Sequence, residues 1–468
     1  DRICRILLDA FKIYHDQMDE MHRDYFRRRG LTDVTINEEL LGHAPDDGTF
    51  LFSRLHSKYS VDDLLKSGLF VKVSGGIKDT YQRRYLFPYW NQGKIVYSIG
   101  RLDTEDPKEI EQLPEWNRGK YKKQLTYSEK HPYVSETIEN VIWNADCVKA
   151  YHEGIITEGI VDALLAKQIS DKLECGVVSP ATTQFSSRDY ELLKGLTKHW
   201  EVTYIIADNE ESGEGLKGAL KTMEILFEAG RDVRLILPPR PENVEKVDLA
   251  DFLNVPEDQR ENRRLELKKL MDEAPDFINW KINEAKERKG KEKLSAILEV
   301  FNLLTYIDDE FLLEHYASLM QKASLVKGKR LFFRALKRAR IAQAKRRKEE
   351  HKGILKKTSP ELYLKYQIEE IRKGKYVKAF LIKQQISNII VNDMRERGKF
   401  YKTVSDQFYW FEHNAKTLYP IHLDSERLAA KINERYGINK SEIEYNYLIE
   451  DLKKEALRKG QDLSLIHI

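Results

Sequence analysis

Three pairs of carboxylates lie between residues 158 and 251: Glu158 with Asp162, Asp208 with Glu210, and Asp248 with Asp251. Glu158 directly follows the β-rich run Ile155-Ile156-Thr157, and Asp208 follows Val202-Thr203-Tyr204-Ile205-Ile206. The third pair comes after the run Val233-Arg234-Leu235-Ile236. In an open parallel sheet the carboxyl ends of the strands line the ligand crevice, so acids from separate runs can meet on one patch. Neither His nor Cys accompanies them at ligand spacing. A set of oxygen donors alone suits a hard Mg²⁺ or Mn²⁺ ion, which keeps several waters and binds phosphate oxygens. The chemistry such a site supports is phosphoryl or nucleotidyl transfer, with an attacking hydroxyl and a leaving pyrophosphate held in line.

The elements that must position these acids are legible in the pattern of apolar residues. Residues 155–157, 176–178, 202–206 and 233–236 read as strands, and helical periodicity at 161–167, 188–193 and 216–227 separates them. Alternation of this kind predicts an α/β domain with a parallel sheet. Upstream, Ile6, Leu7, Ala10, Phe11, Tyr14, Met18, Met21 and Tyr25 predict one helical stretch over 2–29, stopped by Gly30. Residues 33–143 read as mixed α/β, with a helix at 61–67 ended by Gly68 and strands at 85–89 and 94–99 around Asn91-Gln92-Gly93. After Pro256 the chain is helical and charged to about 357, helical again over 363–397, and forms a hairpin around Asn414 within 408–423 before further helices. The expected organisation is an α+β N-terminal basic lobe (1–148), a parallel-sheet catalytic domain (149–255), a helical subdomain (256–345), and a linker with a C-terminal α/β segment (346–468).

Composition narrows the function classes. The chain has 468 residues, 33% of them charged, with a net charge of +3, so a uniformly basic coat for nucleic acid is excluded. Hydrophobic residues at 41% are enough for about three domains with real cores. The strongest local asymmetry is at 327–348, where eleven bases occur without an acid. Leu331, Phe332, Ala335, Leu336 and Ala339 give that stretch an apolar stripe, which predicts a basic amphipathic helix. Lys329, Arg330, Arg334, Lys337 and Arg338 are its candidate contacts to a phosphate backbone. Cys4, Cys147 and Cys175 are isolated, so neither a zinc site nor a disulfide framework is expected. The absence of a long apolar run and of a signal peptide predicts a soluble, cytoplasmic protein without membrane contact. No G-x-x-x-x-G-K-[ST], H-E-x-x-H or G-x-S-x-G motif occurs, which argues against a P-loop motor, a zincin or a serine hydrolase in these residues. Asp1 at the start and the abrupt change at Leu463-Ser464-Leu465-Ile466-His467-Ile468 lead to the expectation of a chain cut at both ends, with a tail that is not native.

The motif Glu158-Gly159-x-x-Asp162, the pair Asp208-x-Glu210 with Ser212-Gly213 behind it, and a third acidic motif together resemble the Toprim fold shared by primases, topoisomerases and some nucleases. Further upstream, Tyr25-Phe26-x-x-Arg29-Gly30-Leu31 is similar to the Y-L-x-x-R-G-L segment of bacterial-type (DnaG-type) primases. Arg83-Arg84-Tyr85-Leu86-Phe87-Pro88 resembles their R-x-R-x-x-F-P-I motif, and Gly93-Lys94-Ile95-Val96-x-x-x-Gly100-Arg101 their G-R-V-I-x-F-G-G-R. These matches run in the family's order over about residues 1–255. The resemblance implies a DNA-dependent RNA primase that uses Mg²⁺ or Mn²⁺ to make short RNA primers. It implies catalytic roles for Glu158, Asp208 and Glu210, and metal binding by these three with Asp248 and Asp251. Asp162 would support the site, and Arg83, Arg84, Arg101 and Lys120 would line a basic face for template and nucleotide. The implied partners are single-stranded DNA, ribonucleoside triphosphates, the RNA primer and a replicative helicase.

Departures from the family pattern are specific. Glu210 stands where the family has Asp, and two residues rather than one separate Asp248 from Asp251, which leaves open which of them binds metal. The family's small-residue loop is only loosely kept as Ser179-Pro180-Ala181-Thr182-Thr183, and Gly119-Lys120-Tyr121 only partly matches its P-K-Y-L-N. The zinc-binding domain that precedes the family's core is expected to be missing from this chain. Residues 408–447 resemble the junction at which phage- and plasmid-type primases are fused to a helicase. The alternatives are another Toprim enzyme, a metal-dependent nuclease or a topoisomerase, and a replication module that binds DNA without catalysis.

Overall fold

The helical periodicity at the N-terminus builds two helices rather than the single one expected. In the computed structural model these are Arg2–Asp16 and Glu20–Arg28, and Asp19 starts the second by accepting the His22 N–H. Asp is a favoured N-cap, and a break that leaves the apolar stripe in phase is invisible to periodicity. The structure describes residues 2–181, 185–373 and 379–463. Thr182 and Thr183 of the small-residue loop, residues 374–378 of the 363–397 helical stretch, and tail residues 464–468 lie outside the described residues.

Six strands follow the opening helices: β1 (Gly42–Ala44), β2 (Phe70–Val73), β3 (Gly76–Asp79), β4 (Arg84–Asn91), β5 (Lys94–Leu102) and β6 (Tyr121–Lys123). Strands β1-β4-β5-β6 form an antiparallel sheet and β2-β3 a separate hairpin. The β4–β5 turn is made by Gln92 (φ 49°) and Gly93 (φ 71°), the left-handed pair that matches the twist of a two-residue hairpin.

The alternating runs downstream form the expected parallel sheet. Its strands are β7 (Glu153–Thr157), β8 (Cys175–Val178), β9 (Val202–Ile206) and β11 (Asp232–Ile236), in the order β11-β9-β7-β8, and every neighbouring pair is parallel. Helices Ile160–Gln168, Ser187–Thr197 and Glu214–Glu228 connect them. Between the last strands, β10 (Asn209–Glu210) and β12 (Lys246–Val247) pair antiparallel as a two-residue ribbon, with Glu210 opposite Lys246. The central strand β7 is buried at Ile155 and Ile156, as parallel strands covered on both faces are.

One hydrophobic core runs from Ile6 to Ala274 and takes in residues of both sheets. Helix Ile160–Gln168 ties the two parts together. Gln168 Oε1 accepts the Thr32 N–H at 2.8 Å, and Lys167 Nζ lies 2.5 Å from Glu39 Oε1. Asn254 Nδ2 donates to the Arg28 carbonyl at 2.7 Å. The chain then becomes helical, as expected, through Arg260–Glu273, Phe277–Glu287, Gly290–Leu304, Glu310–Lys322 and the long Lys329–Thr358.

The fold divides into two compact units, one ending at Leu336 and one beginning at Lys337. The second has its own core, built on Ile390, Trp410, Leu428, Leu448 and Leu452. The stretch read as helical over 363–397 is described as Pro360–Arg372 and Ala379–Arg397. The expected hairpin is present as β14 (Phe408–Glu412) and β15 (Thr417–Pro420), flanked by β13 (Gly398–Lys402) and β16 (Gln461–Asp462) in the order β15-β14-β13-β16. Trp410 points into the core and donates its ring N–H to the Met394 carbonyl. Among the described residues, no helix is long and apolar enough to cross a membrane.

Close packing at β7 gives a direct test of the sheet. A Cβ on Gly154 would fall 2.1 Å from the Trp200 ring. Overpacking of this kind costs about 1–3 kcal/mol, so Gly154→Ala should lower the urea midpoint of unfolding by the corresponding amount.

Candidate metal centre

Each acid is placed by a different local device. Asp162 sits in the first turn of helix Ile160–Gln168, where the helix dipole favours a negative charge. Its Oδ1 accepts the Ala250 N–H at 2.8 Å, which joins this helix to the start of Leu249–Leu253. A Cβ at Gly159 would lie 2.3 Å from Asp162 Oδ2, so a larger residue there would push that carboxylate aside. Asp208 follows β9, and Glu210 on β10 accepts the Gly215 N–H at 2.8 Å from the start of helix Glu214–Glu228. Asp248 caps helix Leu249–Leu253, its Oδ1 accepting the Asp251 N–H at 2.7 Å, and the Asp251 carboxylate accepts the Asp248 N–H in return. That reciprocal arrangement is a capping box.

Asp162, Asp208 and Asp248 converge: each offers a carboxylate oxygen, and these oxygens lie within 4.8 Å of one another. Three hard donors at that separation fit a Mg²⁺ or Mn²⁺ ion that fills its remaining positions with water or phosphate. Asp162 thus belongs to the cluster itself rather than to its supporting surroundings. Of the two acids left open by the sequence, Asp248 lies in the cluster while also capping its helix, and Asp251, its partner in the capping box, lies outside the 4.8 Å group. Glu158 and Glu210 border the three without joining their 4.8 Å group.

The electrostatics follow first from burial and then from crowding of like charge. Burial, then Asp208 and Glu210, pushes the Glu158 carboxyl up to about 7. Burial, then Asp248 and Asp208, raises Asp162. Asp208 is raised by burial as well, against the opposing pull of Lys246, whose Nζ lies 2.5 Å from Asp208 Oδ2. Glu210 is held below the usual carboxylate range by the Gly215 N–H. Nothing in the sequence pattern singled out Lys246. It is brought to the cluster by the β10–β12 pairing, which no local period encodes.

The basic residues expected to form one binding face have separate fates. Arg84 is 1% exposed, so its assignment to a solvent-facing surface is corrected. Its guanidinium donates to Asn117 O at 2.9 Å, Asn117 Oδ1 at 3.0 Å and Gly119 O at 2.9 Å, clamping the loop that leads to β6. Burial lowers its pKa to about 10. Arg101 is also buried, paired with Glu105 and donating to the Tyr121 hydroxyl at 3.2 Å. Arg83 is part-exposed and bridges Asp103 at 3.1 Å and Glu109 at 2.9 Å. Lys120 alone of the four is well exposed and has no ion pair among the described residues. Partial burial, Arg101 and Lys246 all lower its pKa.

The basic helix is formed, as Lys329–Thr358. In the first unit Arg330 and Arg334 are exposed, while Lys329 pairs with Glu314. In the second, Lys337 and Arg338 are exposed. Of the expected apolar stripe only Phe332 and Leu336 are buried, and Leu331 is exposed.

Comparison with known proteins finds similarity to DNA primases. Residues 11–112 match the family described as DNA primase catalytic core, N-terminal domain. A DNA primase of Clostridium acetobutylicum is 24% identical over 318 residues, covering 66% of this chain and 47% of that protein. One of Lactococcus lactis is 24% identical over 209 residues, covering 42% of this chain and 29% of that protein. The chain thus spans less than half the length of these curated relatives. Among solved structures, the zinc-binding and RNA polymerase domains of the Aquifex aeolicus primase match with a TM-score of 0.52 at 20% identity, over 69% of this chain and 73% of that one. The RNA polymerase domain of Mycobacterium tuberculosis DnaG, in complex with a double-stranded DNA oligomer with a 6-nucleotide overhang, gives a TM-score of 0.52 at 16% identity, over 69% of this chain and 97% of that one.

Two measurements test the site. Metal ligands must be deprotonated, so carboxyls with raised pKa values hold protons that an ion must displace. Burial and like charge raise Asp162 and Asp208, so Mn²⁺ binding should tighten, with proton release, as pH rises above the ordinary carboxylate range, as read by calorimetry in buffers of different ionisation enthalpy. Arg84→Ala leaves buried carbonyls without donors and should cost about 3 kcal/mol in denaturant unfolding. DNA affinity of the folded fraction should stay unchanged, because the side chain does not reach solvent.

Proposed function

We propose that this relative of the DnaG-type DNA primases is the catalytic core of an RNA primase, joining ribonucleotides on a single-stranded DNA template. The observation that carries the proposal is the convergence of Asp162, Asp208 and Asp248 in a chain whose residues 11–112 match a primase core. The three aspartates would hold Mg²⁺ or Mn²⁺. Bound there, such an ion would supply Lewis-acid polarisation of the primer 3′-hydroxyl and charge neutralisation of the leaving pyrophosphate. Glu158, its carboxyl raised to about 7 by burial and then by Asp208, would take up the hydroxyl proton as the new ester forms. Glu210, kept ionised by the Gly215 N–H, adds negative potential that retains the ion at the sheet edge.

Lys120 is the best-exposed base of the motif set and would meet the triphosphate. Arg83 would join it on releasing Asp103 or Glu109, while Arg101 acts through the Tyr121 hydroxyl at the margin of the site. In this assignment residues 149–255 perform the chemistry and residues 1–148 carry the template; the exposed bases Arg330 and Arg334 are candidate phosphate contacts of the first unit, and Lys337 and Arg338 of the second. The protein partner proposed is a replicative helicase, on the resemblance of residues 408–447 alone. Work on a cytoplasmic replication fork fits a chain without a membrane-spanning helix among its described residues.

The test is primer synthesis on single-stranded DNA with labelled ribonucleotides and Mg²⁺ or Mn²⁺, resolved on a denaturing gel. Changes in outer-shell partners of metal ligands already cost about 10–100-fold, so Asp208→Asn should reduce synthesis by more than about 100-fold. Single-stranded DNA binding should be largely kept. Wild-type synthesis by Asp208→Asn would overturn the site assignment, and template cleavage in place of synthesis would identify a nuclease.

A further inference from the structure

Among the described residues, the only ion pair made by the aspartate trio is that between Asp208 and Lys246, at 2.5 Å. The ammonium is delivered there by the backbone. Strand β12 pairs with β10 in a register that sets Lys246 opposite Glu210, and Lys246 stands two residues before Asp248. The two partners differ in freedom. Asp208 has a side chain only 16% exposed, whereas that of Lys246 is 47% exposed. A lysine ammonium is a compact charge on a flexible stem, able to leave one anion for another without strain.

We propose that Lys246 is a displaceable counter-ion that makes metal binding and nucleoside triphosphate binding depend on each other. An ammonium held 2.5 Å from Asp208 Oδ2 competes with a divalent ion for that carboxylate's charge. Released, Lys246 is held by the ribbon at the mouth of the cluster, where the polyphosphate of a nucleotide is the anion that can receive it. With no nucleotide present the ammonium competes for Asp208 and weakens the ion's hold. With nucleotide present the competitor is drawn off to phosphate, and the ion binds more tightly. Because such coupling is reciprocal, the ion must raise nucleotide affinity by the same factor. This role deepens the nucleotidyl-transfer proposal and rests on it for the identity of the triphosphate.

The experiment is a Mn²⁺ titration of the full chain followed by electron paramagnetic resonance, with and without the α,β-methylene analogue of ATP. It compares wild type, Lys246→Met and Lys246→Arg, with thermal melting as the control for folding. Lys246→Met should bind Mn²⁺ alone more tightly, by roughly fivefold or more, the lower end of typical coupling between sites. It should also bind the analogue more weakly and lose most of the mutual enhancement seen in wild type, and Lys246→Arg should restore that enhancement. A merely structural lysine would leave Mn²⁺ affinity unchanged or lower it on removal, and either result in a normally melting Lys246→Met overturns the proposal. Failure of wild type to bind Mn²⁺ at all would remove the metal centre and this role together. Tighter Mn²⁺ binding by Lys246→Met in a chain that makes no primers would keep the counter-ion role and sink the primase assignment instead.

Discussion

Carboxylates gathered at one sheet edge repel each other, and the surrounding structure is arranged to hold them together. Two unit charges 4.8 Å apart, the span of the Asp162, Asp208 and Asp248 oxygens, cost about 3 kcal/mol per pair at an effective dielectric of about 20. A backbone N–H donated to a carboxylate returns roughly 1.5–3 kcal/mol. Asp162 receives one from Ala250, Asp248 one from Asp251, and neighbouring Glu210 one from Gly215. These bonds offset only part of the repulsion, and the remainder is met by protons, by Lys246, or by an added cation. The carboxyls of Glu158 and Asp162 are raised first by burial and then by this like charge, and the close approach of Lys246 to Asp208 answers the same deficit of positive charge.

The same deficit explains why this edge needs a rigid frame. Helix Ile160–Gln168 carries Asp162 at its start, and near its end Lys167 and Gln168 are anchored to Glu39 and Thr32 of the N-terminal part. Asp162 is in turn tied to Ala250, and Asn254, just beyond that short helix, reaches back to Arg28. A circuit of polar contacts thus runs from the first helices through helix Ile160–Gln168 to the third acidic motif and back. The core from Ile6 to Ala274 is the apolar counterpart of that circuit.

Among the basic residues, burial separates shape from recognition. Arg84 has the charge of a phosphate ligand but spends its guanidinium on the carbonyls of Asn117 and Gly119, of which the buried Asn117 would otherwise lack a donor. Arg101 is spent in a similar way on Glu105 and Tyr121. Two motif residues that look like ligands thereby fix the loop and strand from which the exposed Lys120 projects.

What the sequence determined by itself was everything that a local period or a short motif can encode. The four parallel strands, their helices, the Asn91-Gln92-Gly93 turn and the hairpin at residues 408–420 were all legible, because apolar alternation and turn residues act over a few positions. So were the acids that follow the strands, since a strand's carboxyl end is defined by where its apolar run stops. The tertiary structure decided which of those acids meet. Asp162 joins the trio because two helices dock, and Asp248 rather than Asp251 faces it because the capping box orients that turn. The break at Asp19 stayed hidden because it keeps the apolar phase, and the burial of Arg84 because charge gives no sign of where a side chain points. Lys246 is the clearest case: its position depends on pairing between segments more than thirty residues apart, a long-range contact that no window of sequence contains.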